Sequence, residues 1–291
     1  MLNIREALYW EKRTDARVLC TLCPHRCLLS PEESGLCGAR KNQEGTLIPL
    51  TYGEVSSLAL DPIEKKPLRR FHPGSVILSV GSVGCNMNCP YCQNHEIARG
   101  IPGQVRTRYM SPESLVEKAL SLTGQGNIGL AYTYNEPLIW YEMILDTGRL
   151  IREAGMKNVL VTNGFISLEP LEQLLPLVDA LNIDLKSFRP EVYRDRLGGG
   201  LETVKETIRM AARQCHVEVT TLVVPGMNDD PEEIRQLAAF LGEISPDIPL
   251  HLTRFFPRHR MSDGSPTPAG TLNLLVRLAG QYLNHVYPGN I

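Results

Sequence analysis

The sequence predicts an α/β fold in which six strands alternate with helices and form an open, partial (β/α)6 barrel of TIM-like type. From residue 75 onward, short apolar runs alternate with amphipathic segments. This alternation is typical of βαβ units, which build a parallel sheet through right-handed crossovers. The predicted strands are Ser75–Gly81, Asn127–Thr133, Asn158–Thr162, Ala180–Leu185, His216–Val224 and Ile248–Arg254.

The helices between these strands have recognisable start signals. Ser111-Pro112 combines an N-cap residue with proline at the first helical position, and Asp230-Pro231 is followed by a glutamate in a variant of the capping box. Thr267-Pro268 precedes the last apolar helix. We therefore divide the chain into an N-terminal cysteine-rich segment with a connecting module, residues 1–74, and the barrel, residues 75–291.

Composition favours a cytoplasmic metal or redox protein. The 291 residues include 30 Lys and Arg against 32 Asp and Glu, so a net charge of −2 gives no electrostatic support for nucleic-acid binding. The sequence has no apolar run long enough to span a membrane and no apolar signal-peptide core at its start. Eight cysteines in such a chain favour metal or redox chemistry over disulfides.

Three cysteines lie close together directly after the first predicted strand. Cys85, Cys89 and Cys92 are spaced C-x3-C-x2-C, and the next cysteine along the chain is Cys215. Thiolates hold iron–sulfur clusters, and three of them leave one iron of a four-iron cubane open to bind another molecule. A zinc knuckle and a set of free thiols are the alternatives, but structural zinc sites usually take four protein ligands.

A second cysteine set occupies the N-terminal segment. Cys20, Cys23, Cys27 and Cys37 place four potential thiolate ligands in eighteen residues. Such a set commonly closes a metal site in a small segment that cannot build its own core. Structural zinc and an auxiliary iron–sulfur cluster both suit four thiolates, and the spacing does not choose between them. His25, inside the set, is predicted to face solvent.

Between the two cysteine sets, residues 41–74 contain a short charged run. Glu64, Lys65 and Lys66 are predicted to lie on a solvated surface, because charged runs in loops usually do. The density of proline and glycine around them indicates an ordered loop that wraps the barrel.

Polar residues follow several predicted strands, at the edge where parallel α/β folds place their active sites. Asn135-Glu136 follows the second strand, Thr162-Asn163 ends the third, and Asp184 and Lys186 alternate along the fourth. These residues could instead form a helix cap and an ion pair, and His251 on the sixth strand could be a satisfied core histidine. Buried polar groups are costly unless they bind something, so we expect a ligand there.

Together these motifs resemble the radical S-adenosylmethionine (SAM) superfamily and, within it, the enzymes of the AmmeMemoRadiSam system, which are similar to pyruvate formate-lyase activating enzymes. The matching stretches run nearly end to end: Cys20–Cys27, Asp61–Pro67, Cys85–Asn94, Ala131–Pro137, Val161–Gly164 and Asn182–Lys186.

The resemblance implies a barrel of the radical SAM type and a 4Fe-4S cluster on Cys85, Cys89 and Cys92. Its open iron would bind SAM, whose reductive cleavage yields a 5'-deoxyadenosyl radical that abstracts hydrogen. Further residues are implied as SAM contacts. They are Asn135, Glu136, Thr162, Asn163, Asp184, Lys186 and His251. Tyr134-Asn135-Glu136 stands where the activating enzymes have Gly-Gly-Glu, so this sequence departs at both glycines.

The resemblance also implies partners: a low-potential electron donor of the flavodoxin or ferredoxin type, and proteins of the Memo and AMMECR types. The substrate stays open between a small molecule and a glycine of a partner protein, the second being the substrate of a glycyl radical activating enzyme. Two other classes compete with an enzyme. One is a non-catalytic iron–sulfur electron carrier, and the other is a zinc-dependent scaffold built on the N-terminal cysteines.

Overall fold

A computed structural model describes residues 5–291 of the chain, so the first four residues lie outside the description. The strands in that range are β1 (Trp10–Lys12), β2 (Val18–Cys20), β3 (Leu28–Leu29), β4 (Arg40–Gln43), β5 (Thr46–Pro49), β6 (Glu54–Val55), β7 (Ser57–Pro62), β8 (Val76–Gly81), β9 (Arg108–Tyr109), β10 (Asn127–Tyr132), β11 (Lys157–Thr162), β12 (Ala180–Asp184), β13 (His216–Val223), β14 (Leu250–Arg254) and β15 (Val286–Gly289).

The α-helices of the same range are α1 (His95–Ala98), α2 (Pro112–Leu120), α3 (Tyr141–Glu153), α4 (Leu168–Leu174), α5 (Pro190–Val192), α6 (Leu201–Ala212), α7 (Pro231–Ile244) and α8 (Ala269–Ala279). Short 3₁₀ helices and one π-helical turn lie between them. They are Ile63–Lys65, Thr123–Gln125, Pro137–Trp140, Leu175–Leu177 and His259–Met261, with the π turn at Tyr193–Leu197. Among these helices none is long and apolar enough to cross a membrane.

One mostly parallel sheet organises the fold. Its strands hydrogen-bond in the order β15-β14-β13-β12-β11-β10-β8-β7, and every pair from β8 to β15 is parallel. The six predicted strands are confirmed as β8 and β10 to β14, with ends that differ by one or two residues. The prediction of an α/β fold with a parallel sheet is therefore confirmed.

The two sheet edges are covered by strands of different direction. β7 pairs antiparallel with β8, from Ser57 opposite Gly81 to Pro62 opposite Val76. At the far edge, β15 pairs parallel with β14. The connecting module therefore contributes an edge strand to the sheet, and Pro62 at its end is compatible with that position because proline cannot donate to a ladder.

α2 and α7 begin where the cap signals indicate. The Ser111 side chain accepts a hydrogen bond from the backbone N–H of Ser114, and the Asp230 carboxylate accepts one from the N–H of Glu232. α8 begins later than Thr267-Pro268 suggested, because the Thr267 hydroxyl is buried and donates to the carbonyl of Val223.

The loop after β7 is fixed to the inner strands. Ile63 and Leu68 are fully buried and pack in a separate apolar cluster with residues of β8, β10, β11 and β12. The Asn182 amide donates to the carbonyl of Pro67 at 2.8 Å. The Glu218 carboxylate of β13 accepts the backbone N–H groups of Arg69 and Arg70, at 3.0 and 2.7 Å. The loop is therefore a fixed wall of the molecule.

The N-terminal segment is a small antiparallel structure packed on α3. β1, β2 and β3 form one sheet, and β4 and β5 form a hairpin. Arg40 on β4 and Glu142 on α3 are both buried and form a salt bridge. This salt bridge must form when the chain folds, because either charge buried without the other would destabilise the folded state.

Candidate active site

The three cysteines of the loop after β8 line one cavity of about 400 Å³. Gly84 allows this loop to turn, since its φ of +101° is rare for other residues and a Cβ there would lie 2.4 Å from the Cys37 carbonyl oxygen. The loop with Cys85, Cys89 and Cys92 thus follows the carboxyl end of a parallel strand, as the sequence predicted.

Glu136 is buried beside these cysteines and fully engaged in hydrogen bonds. Its carboxylate accepts the Thr162 hydroxyl at 2.6 Å, the Asn163 backbone N–H at 2.7 Å and the Leu138 backbone N–H at 2.9 Å. Burial raises the pKa of Glu136 to about 7, although these donors oppose the shift. Through these hydrogen bonds, Glu136 links the loop after β10 to the carboxyl end of β11.

Asn135 holds the backbone that leads into the cluster loop. Its Oδ1 accepts the N–H of Ser82 at 3.0 Å, and its Nδ2 donates to the carbonyl of Gly84 at 3.0 Å. Asn135 therefore fixes the turn that presents Cys85 to the cavity.

Asn163 joins β11 to the same loop. Its Nδ2 donates to Oδ1 of Asn86 at 2.9 Å and lies 3.7 Å from the sulfur of Cys85. The Asn86 amide in turn donates to the carbonyl of Phe165 at 2.7 Å. The loop between the first and second cysteines is thereby fixed to the segment that follows β11.

Asp184 and Lys186 line the same cavity as an ion pair of 2.8 Å. Burial opposes the charge of Lys186, but attraction to Asp184 raises the pKa of its ammonium well above the ordinary value. The pair offers a ligand a cationic donor and a carboxylate acceptor.

The donor set suits a cluster. Burial raises the pKa of the Cys85, Cys89 and Cys92 thiols, so a thiolate here needs a cationic partner. Within residues 5–291, no group of three or more His, Cys, Asp or Glu side chains is placed to hold a single metal ion, and this covers the N-terminal cysteines as well as Cys85, Cys89 and Cys92. Three thiols around a shared cavity fit a group in which each iron takes one cysteine.

Lys66 and Tyr134 are among the residues that line the cavity although the sequence analysis did not select them. The prediction of a solvated surface is wrong for Lys66, whose side chain is 3% exposed and lines the cavity, whereas that of Lys65 is 69% exposed. Tyr134 lines it too, with a φ of 74° that is unusual for an aromatic residue. The signal that could have found them is the pair of charges, Asp61 and Lys66, on either side of a buried isoleucine.

His251 lies apart from this group. It is buried on β14, its Nε2 is 2.6 Å from Oε2 of Glu218, and its ring stacks with Tyr287. His251 does not line the cavity that holds Cys85.

The N-terminal cysteines surround a cavity of their own. Cys20, Cys23, Cys27 and Cys37 line a space of about 20 Å³, and the buried Arg40 guanidinium lies 3.4 Å from the Cys20 sulfur. His25 is half-buried, with Nε2 2.7 Å from the carbonyl oxygen of Asn86. The structure thus places His25 against the cluster loop, and its predicted exposure to solvent is wrong.

Comparison with known proteins assigns the class of the fold and site. Residues 79–238 match the model of the radical SAM superfamily, and the chain belongs to that superfamily. It is a radical SAM enzyme, and its family implies a 4Fe-4S cluster and SAM. Enzymes of this class need a reductant such as a flavodoxin or a ferredoxin.

Particular relatives extend this result. The chain is 41% identical over 291 residues to an uncharacterised protein of Methanocaldococcus jannaschii, which covers 99% of this chain and 86% of that protein. It is 26% identical over 164 residues to the pyruvate formate-lyase 1-activating enzyme of Escherichia coli, which covers 55% of this chain and 66% of the enzyme. The chain is therefore related to glycyl radical activating enzymes.

Among solved structures, SuiB of Streptococcus suis superposes with a TM-score of 0.56 at 12% identity, covering 78% of this chain and 51% of SuiB. At this identity the likeness concerns the fold alone.

Proposed function

We propose that this protein cleaves SAM reductively and abstracts hydrogen from a substrate handled by a system of Memo and AMMECR companions. One observation carries the proposal. The three thiols of the C-x3-C-x2-C loop and the polar ends of β10, β11 and β12 line a single cavity. The resemblance of the N-terminal and Asp61–Pro67 motifs supplies the companions.

In this proposal, Cys85, Cys89 and Cys92 hold the cluster. When bound, the cluster and SAM supply a 5'-deoxyadenosyl radical that abstracts a hydrogen atom. Asn135 orients the loop, and the Glu136 carboxylate attracts the SAM ammonium group. The walls exclude water, which protects a reactive intermediate from side reactions.

The remaining SAM contacts follow the same logic. Lys186 attracts the SAM carboxylate, Asp184 accepts from the ribose hydroxyls, and Thr162 and Asn163 keep Glu136 in place. The Nε2 of His251 is hydrogen-bonded to Glu218. The role of His251 as a SAM contact therefore stays a prediction. His251→Gln should raise the SAM dissociation constant if that prediction is right.

The N-terminal cysteines support a second proposal about the same enzyme. We infer that Cys20, Cys23, Cys27 and Cys37 hold a metal centre, either zinc or an auxiliary iron–sulfur cluster. The shared cavity supports this inference, as does the Arg40 guanidinium, which donates to the Cys20 sulfur at 3.4 Å. We further propose that residues 1–74 are an N-terminal cysteine-rich segment with a connecting module and that residues 75–291 form a partial (β/α)6 barrel. We also propose that the enzyme is cytoplasmic.

A glycyl radical activating enzyme is the second candidate. The observation that favours it is the identity to the Escherichia coli activating enzyme. It predicts a protein substrate, whereas the first candidate predicts a molecule that fits the cavity. Anaerobic incubation with a small metabolite that couples 5'-deoxyadenosine formation to substrate loss, without any glycyl radical protein, would favour the first candidate.

The test is anaerobic reconstitution followed by iron, sulfide and zinc quantification and a 5'-deoxyadenosine assay. Wild type should hold at least about four irons per chain, and Cys85→Ala should lose them together with SAM cleavage. Cys215→Ala is the matched control, because its thiol only donates to the carbonyl of Ala211. A fully reconstituted wild type with fewer irons, or cleavage retained in Cys85→Ala, contradicts the proposal.

A Cys20→Ala/Cys23→Ala double variant tests the second centre. It should lose either about one zinc or a further set of irons while keeping those held by Cys85. An unchanged metal content would show that the N-terminal thiols hold no metal.

A further inference from the structure

The Lys66 ammonium is a buried cation on the wall of the SAM cavity. Its Nζ donates to Oδ2 of Asp61 at 2.7 Å. An ammonium has three donors, and within residues 5–291 Asp61 is its one hydrogen-bond acceptor. Lys66 lines the cavity, whereas Asp61 does not. Lys66 therefore has donor capacity beyond its pair with Asp61.

Lys66 is held rigidly in this position. Asp61 belongs to the edge strand β7, opposite Ile77 of β8. After Lys66, the chain is fixed by the buried Leu68 and by the hydrogen bond from Asn182 to Pro67. A lysine on a mobile loop would turn to water to recover its hydration, but this one has its position set on both sides.

The other charged groups of the cavity have a role in the proposed function or are exposed. Lys186, like Lys66, has one carboxylate partner, but its free donors are assigned to the SAM carboxylate, and Glu136 is assigned to the SAM ammonium. Lys65 also lines the cavity, but its side chain is 69% exposed and its Nζ lies 4.0 Å from Asp61. Lys66 is thus the buried cation of the cavity that SAM leaves without a partner.

Tyr134 couples Lys66 to the cluster loop. Its hydroxyl donates to the same Oδ2 of Asp61 at 2.7 Å, and its ring lies beneath Lys66 Nζ, 5.1 Å from the centroid. Its carbonyl oxygen accepts a hydrogen bond of 2.7 Å from the side-chain amide of Asn94, a residue that follows Cys92 by two positions. A left-handed tyrosine costs energy that the surrounding structure must offset, and such strain clusters at ligand sites.

We propose that Lys66 binds an oxyanion, a carboxylate or a phosphate, of the substrate that shares the cavity with SAM. This inference rests on the proposed function and deepens it, because it makes the substrate an anionic small molecule rather than a glycine of a polypeptide. The same chemistry could come from the carboxylate of SAM itself. The experiment below therefore separates the two sources.

The probe is inorganic phosphate, followed by ³¹P relaxation in the reduced, reconstituted enzyme. Excess aza-SAM, an uncleaved analogue, keeps phosphate off the open iron, and it contains no phosphorus to interfere. A phosphate held near the paramagnetic cluster relaxes faster than phosphate in bulk. Wild type should show saturable enhancement, and Lys66→Met should lower the affinity for phosphate by about tenfold or abolish the effect.

The controls are matched to the charge that is removed. Lys118→Met removes an exposed ammonium outside the cavity and should retain the enhancement, and Lys66→Arg should retain it in part. Because Lys66→Met leaves Asp61 buried without its partner, an Asp61→Asn/Lys66→Met variant keeps the charges balanced. Iron content and thermal unfolding identify variants that fail to fold.

Each outcome has a defined meaning. Absence of enhancement in a wild type that cleaves SAM overturns the inference and leaves the proposed function standing. Enhancement retained in both Lys66→Met and the double variant also overturns it. If Lys66→Met raises the aza-SAM dissociation constant about tenfold and leaves phosphate relaxation unchanged, Lys66 binds the carboxylate of SAM and not that of a substrate. The inference then fails. A wild type that holds no cluster defeats the proposed function and the inference with it.

Discussion

Asn163 and Asn86 are hydrogen-bonded side chain to side chain, with Nδ2 of Asn163 2.9 Å from Oδ1 of Asn86. This contact connects the end of β11 with the loop between Cys85 and Cys89. Asn86 also accepts His25 on its carbonyl, so the N-terminal segment contacts the same residue. One loop therefore receives structural support from two distant parts of the chain.

Asn163→Ala should weaken SAM binding. The substitution removes the bond to Asn86 and the Oδ1 acceptor of the Phe165 N–H, and the buried groups left unpaired cost about 1–3 kcal/mol. We expect the SAM dissociation constant to rise by about tenfold, measured by equilibrium binding to the reconstituted enzyme. The control is the exposed Asn284, which donates a hydrogen bond to Asp247. Asn284→Ala should change neither the stability of the protein nor its SAM dissociation constant. Equal effects from both variants would contradict the assignment.

Arg40→Met should destabilise the protein strongly. It leaves the buried Glu142 carboxylate without its partner, which costs about 3–5 kcal/mol of unfolding free energy. An Arg40→Met/Glu142→Leu variant should recover most of that loss, measured by anaerobic urea unfolding. Arg235→Met, which breaks an exposed pair with Glu232, should cost less than about 1 kcal/mol. A double variant no more stable than Arg40→Met would show that the ion pair is not the cause.

Glu218 should make stability depend on pH in acid. Burial opposes its charge, but hydrogen bonds from His216, His251 and two backbone N–H groups lower the pKa of Glu218 from 4.5 to about 2. The unfolded state then binds the proton first as pH falls. Stability from this group is complete above about pH 4.5 and is lost between that value and about pH 2.

Glu218→Gln should remove this acid dependence and lower stability at pH 7 by roughly 3 kcal/mol. The measurement is urea unfolding at a series of pH values. Glu243→Gln, at an exposed position, serves as the control. An unchanged slope between about pH 4.5 and 2 in Glu218→Gln would exclude Glu218 as its source.

Tyr134→Phe isolates the hydroxyl of the strained tyrosine. Loss of the hydrogen bond to the Asp61 carboxylate should cost about 2 kcal/mol of unfolding free energy, because bonds to charged groups are stronger than neutral ones. Tyr282→Phe, at an exposed site, should cost less than about 0.5 kcal/mol. If Tyr134→Phe is equally mild, Asp61 does not depend on this donor.

The sequence predicted the parallel strands well because each is a short apolar run between helix signals. It also predicted which strand ends carry polar residues, since in a parallel sheet these ends share one edge. Cys85, Glu136, Asn163 and Lys186 meet there as that rule requires.

Other positions depend on contacts that no local pattern records. Lys66 stands in a run of charges that normally faces water, but it is buried and paired with Asp61, while the flanking Ile63 and Leu68 pack in the apolar cluster under the sheet. His251 has the alternation of an inward-facing residue, but Glu218, on the neighbouring strand, takes its Nε2. His25 is a loop residue by composition, and tertiary packing places it against Asn86.

The hydrogen bond that the Arg69 backbone N–H donates to Glu218 joins residues 149 positions apart in sequence. During synthesis, the segment that carries Lys66 leaves the ribosome long before β13 exists to fix it. Closing so large a loop is slow, and until it closes the wall beside the cysteines is incomplete. Cluster assembly in the cell should therefore follow release of nearly the whole chain, and chains arrested before residue 216 should fail to retain iron.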